Sequence, residues 1–101
     1  MSKLEIVKAL QQGEVINRYK EHGNSMLPII KSGQPVCLEP IKNRELKIND
    51  IVFCKVKGNY YTHKISKIRG KQYQISNNRG YINGWITRNS IYGIVTKIHD
   101  K

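Results

Sequence analysis

The sequence is short of several things, and each shortage removes a class of protein. None of its 101 residues belongs to a continuous apolar run of the length that crosses a bilayer as a helix, which takes roughly 20 consecutive apolar residues. Residues 1–13 mix charged and apolar side chains without the apolar block of a secretory leader, so a cytoplasmic protein with no membrane segment is expected. Cysteine is scarce. Cys37 and Cys54 are the two in the chain, and they stand in no C-x-x-C or Cys/His ligand spacing, so buried free thiols are expected, with no metal and no cofactor. There is no internal repeat, no low-complexity tract and no linker, which leaves a single domain over residues 1–101 as the expected organisation. Acidic residues are few as well: 7 against 18 Lys and Arg give a net charge of +11. An excess of that size attracts nucleic acid, acidic proteins or anionic surfaces, while the oligomeric state stays open.

What the sequence does contain is mostly strand. Leu4, Val7, Ala9 and Leu10, spaced among Lys, Glu and Gln, predict a short amphipathic helix within residues 1–13. Ser2 is placed to cap it, with Glu5 three residues on and Gly13 as the stop. A helix-turn-helix would need a second helix, and none is predicted. Strands are expected over residues 14–22 and 34–40, the latter ended by Pro40, with a polar loop over 41–49. Residues 50–57 and 59–68 form the clearest hairpin, turning at Lys57-Gly58-Asn59, with Ile51, Phe53 and Val56 pointing inward from the first arm. On the second arm, alternation separates Tyr61, His63 and Ile65 from Thr62 and Lys64. A further strand is expected over 72–76, a turn-rich loop over 77–84, a helical turn over 88–90 and a last strand over 91–98.

Two stretches carry chemistry. In Gly23-Asn24-Ser25-Met26-Leu27-Pro28 a lone serine stands between a glycine-asparagine pair and an apolar pair closed by proline. That frame suits a hydroxyl held on a tight turn at the edge of a core, or, more plainly, a loop joining two strands. In Tyr61-Thr62-His63-Lys64-Ile65 the second stretch offers an imidazole. A serine hydroxyl needs a neighbour to take its proton, and a histidine with an ordinary pKa of ~6.5 can do so at neutral pH. Lysine can do it only when burial lowers its pKa by several units.

Together these stretches resemble the signal peptidase and self-cleaving repressor superfamily of serine peptidases (S24/S26-like), in which a G-x-S-M-x-P turn carries the nucleophile and a later strand carries its base. Ser32-Gly33-Gln34-Pro35-Val36, Leu46-Lys47-Ile48-Asn49-Asp50-Ile51-Val52 and Ile91-Tyr92-Gly93-Ile94-Val95 are similar to three further blocks of that superfamily, in the same order. The resemblance implies a mainly β, coiled-sheet domain with a short N-terminal helix, and a soluble branch that uses histidine as base. By resemblance Ser25 is the nucleophile and His63 the base, with Lys64 as the alternative base. The Ser25 amide and the Asn24 side chain become candidate oxyanion donors, and Met26, Pro28, Lys67, Arg69 and Arg79 candidate binding residues. The substrate would be an extended polypeptide with small residues near the cut bond.

The chain departs from that pattern at the acidic positions. Asn77 and Asn83 stand where the histidine branch carries carboxylates that orient the base, and Gln34 stands where aspartate is usual. Self-cleavage is not expected, since the chain contains no Ala-Gly or Cys-Gly pair. Three functions therefore remain: a small serine peptidase acting on a partner polypeptide through a Ser25/His63 dyad, a peptidase-like module with impaired chemistry, or an inhibitor or adaptor that binds a peptide at the serine turn without cutting it. The second would bind nucleic acid or an acidic protein through Lys64, Lys67, Arg69, Lys71, Arg79 and Arg88, interleaved with Tyr60, Tyr73, Tyr81 and Trp85.

Overall fold

Helix α1 spans Lys3–Gln11 in a computed structural model that describes residues 1–100. Ser2 caps it as the spacing predicts. Its Oγ accepts from the Glu5 amide at 3.2 Å, and Glu5 Oε1 accepts from the Ser2 amide at 2.8 Å, which satisfies two donors that would otherwise have no partner. The buried face is Ile6, Val7, Ala9 and Leu10. Leu4, expected on that face, is 53% exposed and Ile6 takes its place, because Ile6 and Leu10 lie one turn apart on the same side.

Seven strands follow: β1 (Ile16–Tyr19), β2 (Val36–Pro40), β3 (Ile51–Val56), β4 (Asn59–Arg69), β5 (Gln72–Ser76), β6 (Ile82–Thr87) and β7 (Ile91–Ile98). They form one sheet in the order β1-β2-β7-β3-β4-β5-β6, and every neighbouring pair is antiparallel. The β3–β4 hairpin turns where expected, with Lys57 at φ 51° and Gly58 at φ 85°, the doubly left-handed turn that matches strand twist. Its register sets Val52 opposite His63 and Phe53 opposite Thr62. Across an antiparallel pair, facing residues share a side of the sheet, so the histidine and the threonine beside it look into different halves of the molecule.

Both halves are filled. Phe53 centres one core with Ile6, Val7 and Leu10 of α1 and Val36 and Leu38 of β2. Tyr19 meets its ring edge-on with centroids 5.4 Å apart, and Tyr60 stacks on it at 5.8 Å. Val52, Cys54 and Val56 build the second core with Ile65, Ile75, Ile91 and Ile94. The central strand is thus covered on both sides. Ile51, expected to point inward, is half-buried, whereas Val52 and Cys54 are fully buried. Residues 41–49 are likewise less polar than they read, since Ile41 and Leu46 drop into the second core. Arg88 pins that segment by donating from Nη2 to the carbonyls of Lys42 and Arg44 at 2.8 and 2.6 Å.

The sheet curls on itself. A Cβ added at Gly84 of β6 would lie 3.1 Å from Val56 Cγ1 of β3, although β4 and β5 stand between those strands in the sheet order. The fold is therefore mainly β, a coiled sheet with one short helix. Residues 77–84 were expected as loop, but β6 already begins at Ile82. Asn and Gly are poor strand formers, and pairing with β5, Ser76 to Ile82 and Ile75 to Gly84, overrides that preference. Cys37 and Cys54 are buried and free, and burial pushes the Cys54 thiol up to about 12. Among the described residues no helix is long and apolar enough to cross a membrane.

Candidate active site

The serine turn lies in the loop between β1 and β2 and is knit by its own backbone. Glu21 O accepts from the Gly33 amide at 2.7 Å, the Gly23 amide donates to Ser32 Oγ at 3.0 Å, and Met26 O accepts from the Ile30 amide at 2.9 Å. Gly23 adopts φ +128°, a region closed to most side chains, and the Leu27–Pro28 bond is cis. Met26 is buried at 4% exposure and anchors the turn. Ser25 therefore stands half-buried at the rim, while Pro28 is exposed.

His63, in the middle of β4 and 6% exposed, meets that turn. Its Nε2 is 3.1 Å from Ser25 Oγ, and its Nδ1 is 2.7 Å from Asn83 Oδ1 of β6. The Tyr61 ring stacks on the imidazole with centroids 4.8 Å apart. An amide oxygen can only accept, so Nδ1 carries the proton and Nε2 presents its lone pair to the serine hydroxyl. Burial lowers the imidazole's pKa below its ordinary value, against the opposing pull of the Asn83 hydrogen bond and the Glu21 charge. The ring is therefore neutral at pH 7. A hydroxyl at this distance from a neutral imidazole has the geometry of a nucleophile and its base.

The sequence profile described as Peptidase S24-like matches residues 7–96, covering the second half of α1, the serine turn and all of the sheet but the end of β7. The chain belongs to the Peptidase S24-like family. No curated protein matches it at a significant level.

Within this family member the remaining expected site residues divide into those near the Ser25–His63 contact and those elsewhere. Lys64 turns away from His63 as strand alternation requires, and its Nζ donates to Asn78 Oδ1 at 3.3 Å. Asn78 is a residue that the sequence did not single out. Its amide N–H donates to Ser25 O and its Nδ2 to Leu27 O, both at 2.8 Å, so one side chain and its own backbone brace the serine turn from the β5–β6 loop. The only signal in the sequence was its place in an Asn-Asn pair after β5. Of the two asparagines expected near the base, Asn83 is on the imidazole. Asn77 is not its orienter: its Oδ1 accepts from the amides of Arg79 and Tyr81, each at 2.9 Å, which shapes the loop. Asn24 is exposed, and its carbonyl accepts from the Leu27 amide at 3.3 Å.

Gln34 has a structural place. Its Oε1 accepts from the Lys31 amide and its Nε2 donates to His99 O. His99 Nε2–H donates to Asn17 O at 2.7 Å, and His22 is exposed. Tyr60 and Tyr73 pack against the two cores, and Arg88 is spent on loop carbonyls. Lys67, Arg69, Lys71, Arg79 and Tyr81 remain exposed, with Arg69 over the Trp85 ring at 5.2 Å. Among the described residues no cluster of His, Cys, Asp and Glu could hold a metal ion.

Proposed function

We propose that this protein, as a single domain over residues 1–101, is a serine peptidase that cuts a partner polypeptide, with Ser25 as nucleophile, His63 as general base and Asn83 as the group that orients the base. The observation carrying this reading is the unbroken relay from Ser25 Oγ through His63 to Asn83 Oδ1, at 3.1 and 2.7 Å. Ser25 Oγ attacks the scissile carbonyl as its proton passes to Nε2. The resulting oxyanion lies by the Ser25 amide, a donor aimed where negative charge develops. The imidazolium then protonates the departing amine, and a water activated by the same nitrogen releases the acyl group.

Asn83 fixes the tautomer that this sequence of steps needs. What it lacks is charge. Exchanging the orienting carboxylate of a serine triad for its amide can cost about 10⁴ in kcat when the amide imposes the wrong tautomer. Here Oδ1 faces Nδ1, so the loss is limited to the weaker stabilisation of the imidazolium. A slow enzyme for a restricted set of substrates fits that chemistry. In a peptide-library digestion read by mass spectrometry, the wild type should produce defined cuts and Ser25→Ala none, with unchanged circular dichroism. Equal cutting by both would overturn the reading.

A second reading is favoured by the exposed cations Lys67, Arg69, Lys71 and Arg79: a peptidase-like module that holds an acidic protein or single-stranded nucleic acid. Such binding would fall steeply with salt and be indifferent to Ser25→Ala.

A further inference from the structure

The acidic residues are unevenly spread along the chain. Residues 51–99 carry nine Lys and Arg with no Asp or Glu, whereas residues 1–50 carry eight against six. Such asymmetry between halves points to a nucleic-acid or other anionic partner. The acid-free half is the one that builds β3 to β7, so its charge is held on strands and their turns. Among the described residues the two ion pairs, Lys3–Glu21 and Arg44–Glu39, both lie in the first half.

Register gathers part of that charge on one face. Across β4 and β5, Arg69 is opposite Gln72 and Lys67 opposite Gln74; across β5 and β6, Gln72 is opposite Thr87 and Gln74 opposite Trp85. Facing residues share a side of the sheet, so these six stand together, and the Arg69 guanidinium lies over the Trp85 ring, 5.2 Å from its centroid. The other side of the same strands carries Ile65, Ile75, Tyr73 and Ile86, which pack on the second core. The Trp85 side therefore looks to solvent. Lys67, Arg69, Gln72 and Thr87 are exposed and Trp85 is half-buried. Gln74 is buried, and Ser66 Oγ donates to its Oε1 at 3.0 Å, which holds its amide in place. At the tip of the β4–β5 turn Lys71 extends the charge, and around that tip Lys71, Tyr73, Thr87 and Arg88 wall a groove of about 430 Å³.

The structure assigns this outer face of β4, β5 and β6 as a platform for single-stranded nucleic acid, with Trp85 stacking on a base and Lys67, Arg69 and Lys71 meeting phosphates. The inference rests on the second reading above and narrows it to one face and one partner. Every base offers a π-face to the indole, and the backbone supplies the opposite charge. A cation over a ring at an exposed site is held more weakly than a stacked base, so a base displaces Arg69 from the indole and releases its guanidinium to a phosphate. A duplex keeps its bases stacked on one another and offers none to the ring. A folded acidic protein would bury an apolar centre of several side chains, whereas Trp85 is the one apolar side chain among the six. His63 shares the side of β4 that carries Ile65, so a strand bound on the outer face leaves the Ser25–His63 contact untouched.

Trp85 is the one tryptophan in the chain, so its fluorescence reports contact with a base directly. The probes are an oligothymidylate of about twelve nucleotides, an abasic oligonucleotide and a duplex of the same length, and polyglutamate. At low salt the oligothymidylate should quench Trp85 and bind about tenfold more tightly than the abasic chain, the worth of one stacked base, with the duplex weaker too. Its log K should fall against log salt with a slope of about −2, as three neutralised phosphates give, and Lys67→Gln should take about 0.7 off that slope. Trp85→Leu, followed by the anisotropy of a labelled oligothymidylate, should bring the affinity down to the abasic level, and Ser25→Ala should change nothing. Should the half-buried position make Trp85→Leu unfold, the abasic comparison decides, since it leaves the protein unaltered. Equal affinity for the abasic chain or the duplex, or binding without a change in Trp85 fluorescence, would overturn the platform and leave the second reading in place. Polyglutamate bound in preference would overturn nucleic acid in favour of an acidic protein. No binding to any probe at low salt would remove the inference and the second reading together.

Discussion

Asn83 Oδ1 sits 2.7 Å from His63 Nδ1, which puts a neutral amide where a charged orienter would stabilise the imidazolium. Two consequences follow from charge and tautomer. Asn83→Asp keeps the acceptor and adds a negative charge, so it should raise the His63 pKa and move the acid limb of kcat/KM to higher pH. It should also lift the plateau above wild type. Asn83→Leu removes the acceptor and frees the tautomer, and activity should drop by roughly a hundredfold or more. The pH profiles of the two variants check both directions.

His63 also links stability to pH. Its pKa is lowered in the folded protein, chiefly by burial, whereas in the unfolded chain it returns to ~6.5. Between the folded value and ~6.5 the unfolded chain binds more protons, so stability rises with pH across that window and is lost as pH falls through it. Urea midpoints should therefore fall from pH 7.5 to pH 5 in the wild type, and the part of that slope due to His63 should vanish in His63→Gln. An unchanged slope in the variant would show that other groups carry it.

Asn78 braces the serine turn through the backbone carbonyls of Ser25 and Leu27. Asn78→Ala leaves the backbone bond and deletes the side-chain one, along with the acceptor for Lys64 Nζ. A lost bond of this kind costs about 1–3 kcal/mol locally. The expected result is a several-fold lower kcat with Tm nearly kept, since the turn loosens while both cores stay packed. Comparable losses in Asn78→Ala and the more conservative Asn78→Asp would show that the amide Nδ2, which only asparagine supplies, is what holds Leu27 O.

Helix capping gives a prediction independent of chemistry. Ser2→Ala removes one half of the reciprocal pair with Glu5 and should lower stability by about 1 kcal/mol, read as a shift in urea midpoint with activity unchanged.

Much of this architecture could be read from the residues, and the reasons differ from element to element. The Ser2-Glu5 cap and the Lys57-Gly58 turn are local, so three or four residues specify them. The resemblance of the serine turn and the His63 strand rests on residue types in a fixed order, and that too is visible along a line. The places where the reading went astray depend on contacts that a line does not show. Val52 was missing from the residues expected to point inward because alternation assumes one wet face, whereas β3 is packed on both. β6 was hidden under Asn and Gly because its pairing with β5 supplies what its own preferences do not. That strand carries Asn83, so the choice between Asn77 and Asn83 as the partner of His63 awaited the register between β5 and β6. The Asn78 brace joins residues 51 positions apart, and no spacing rule reaches that far.

The account depends on Ser25 being activated by His63, and that is measured most directly by the rate at which a fluorophosphonate modifies the protein. The expected result is a single adduct on Ser25, absent in Ser25→Ala and slowed by roughly a hundredfold in His63→Gln. In the wild type the rate should rise with pH about a midpoint below the ordinary imidazole value. An unreactive wild-type protein, or a His63→Gln variant labelled as fast as the wild type, would contradict it.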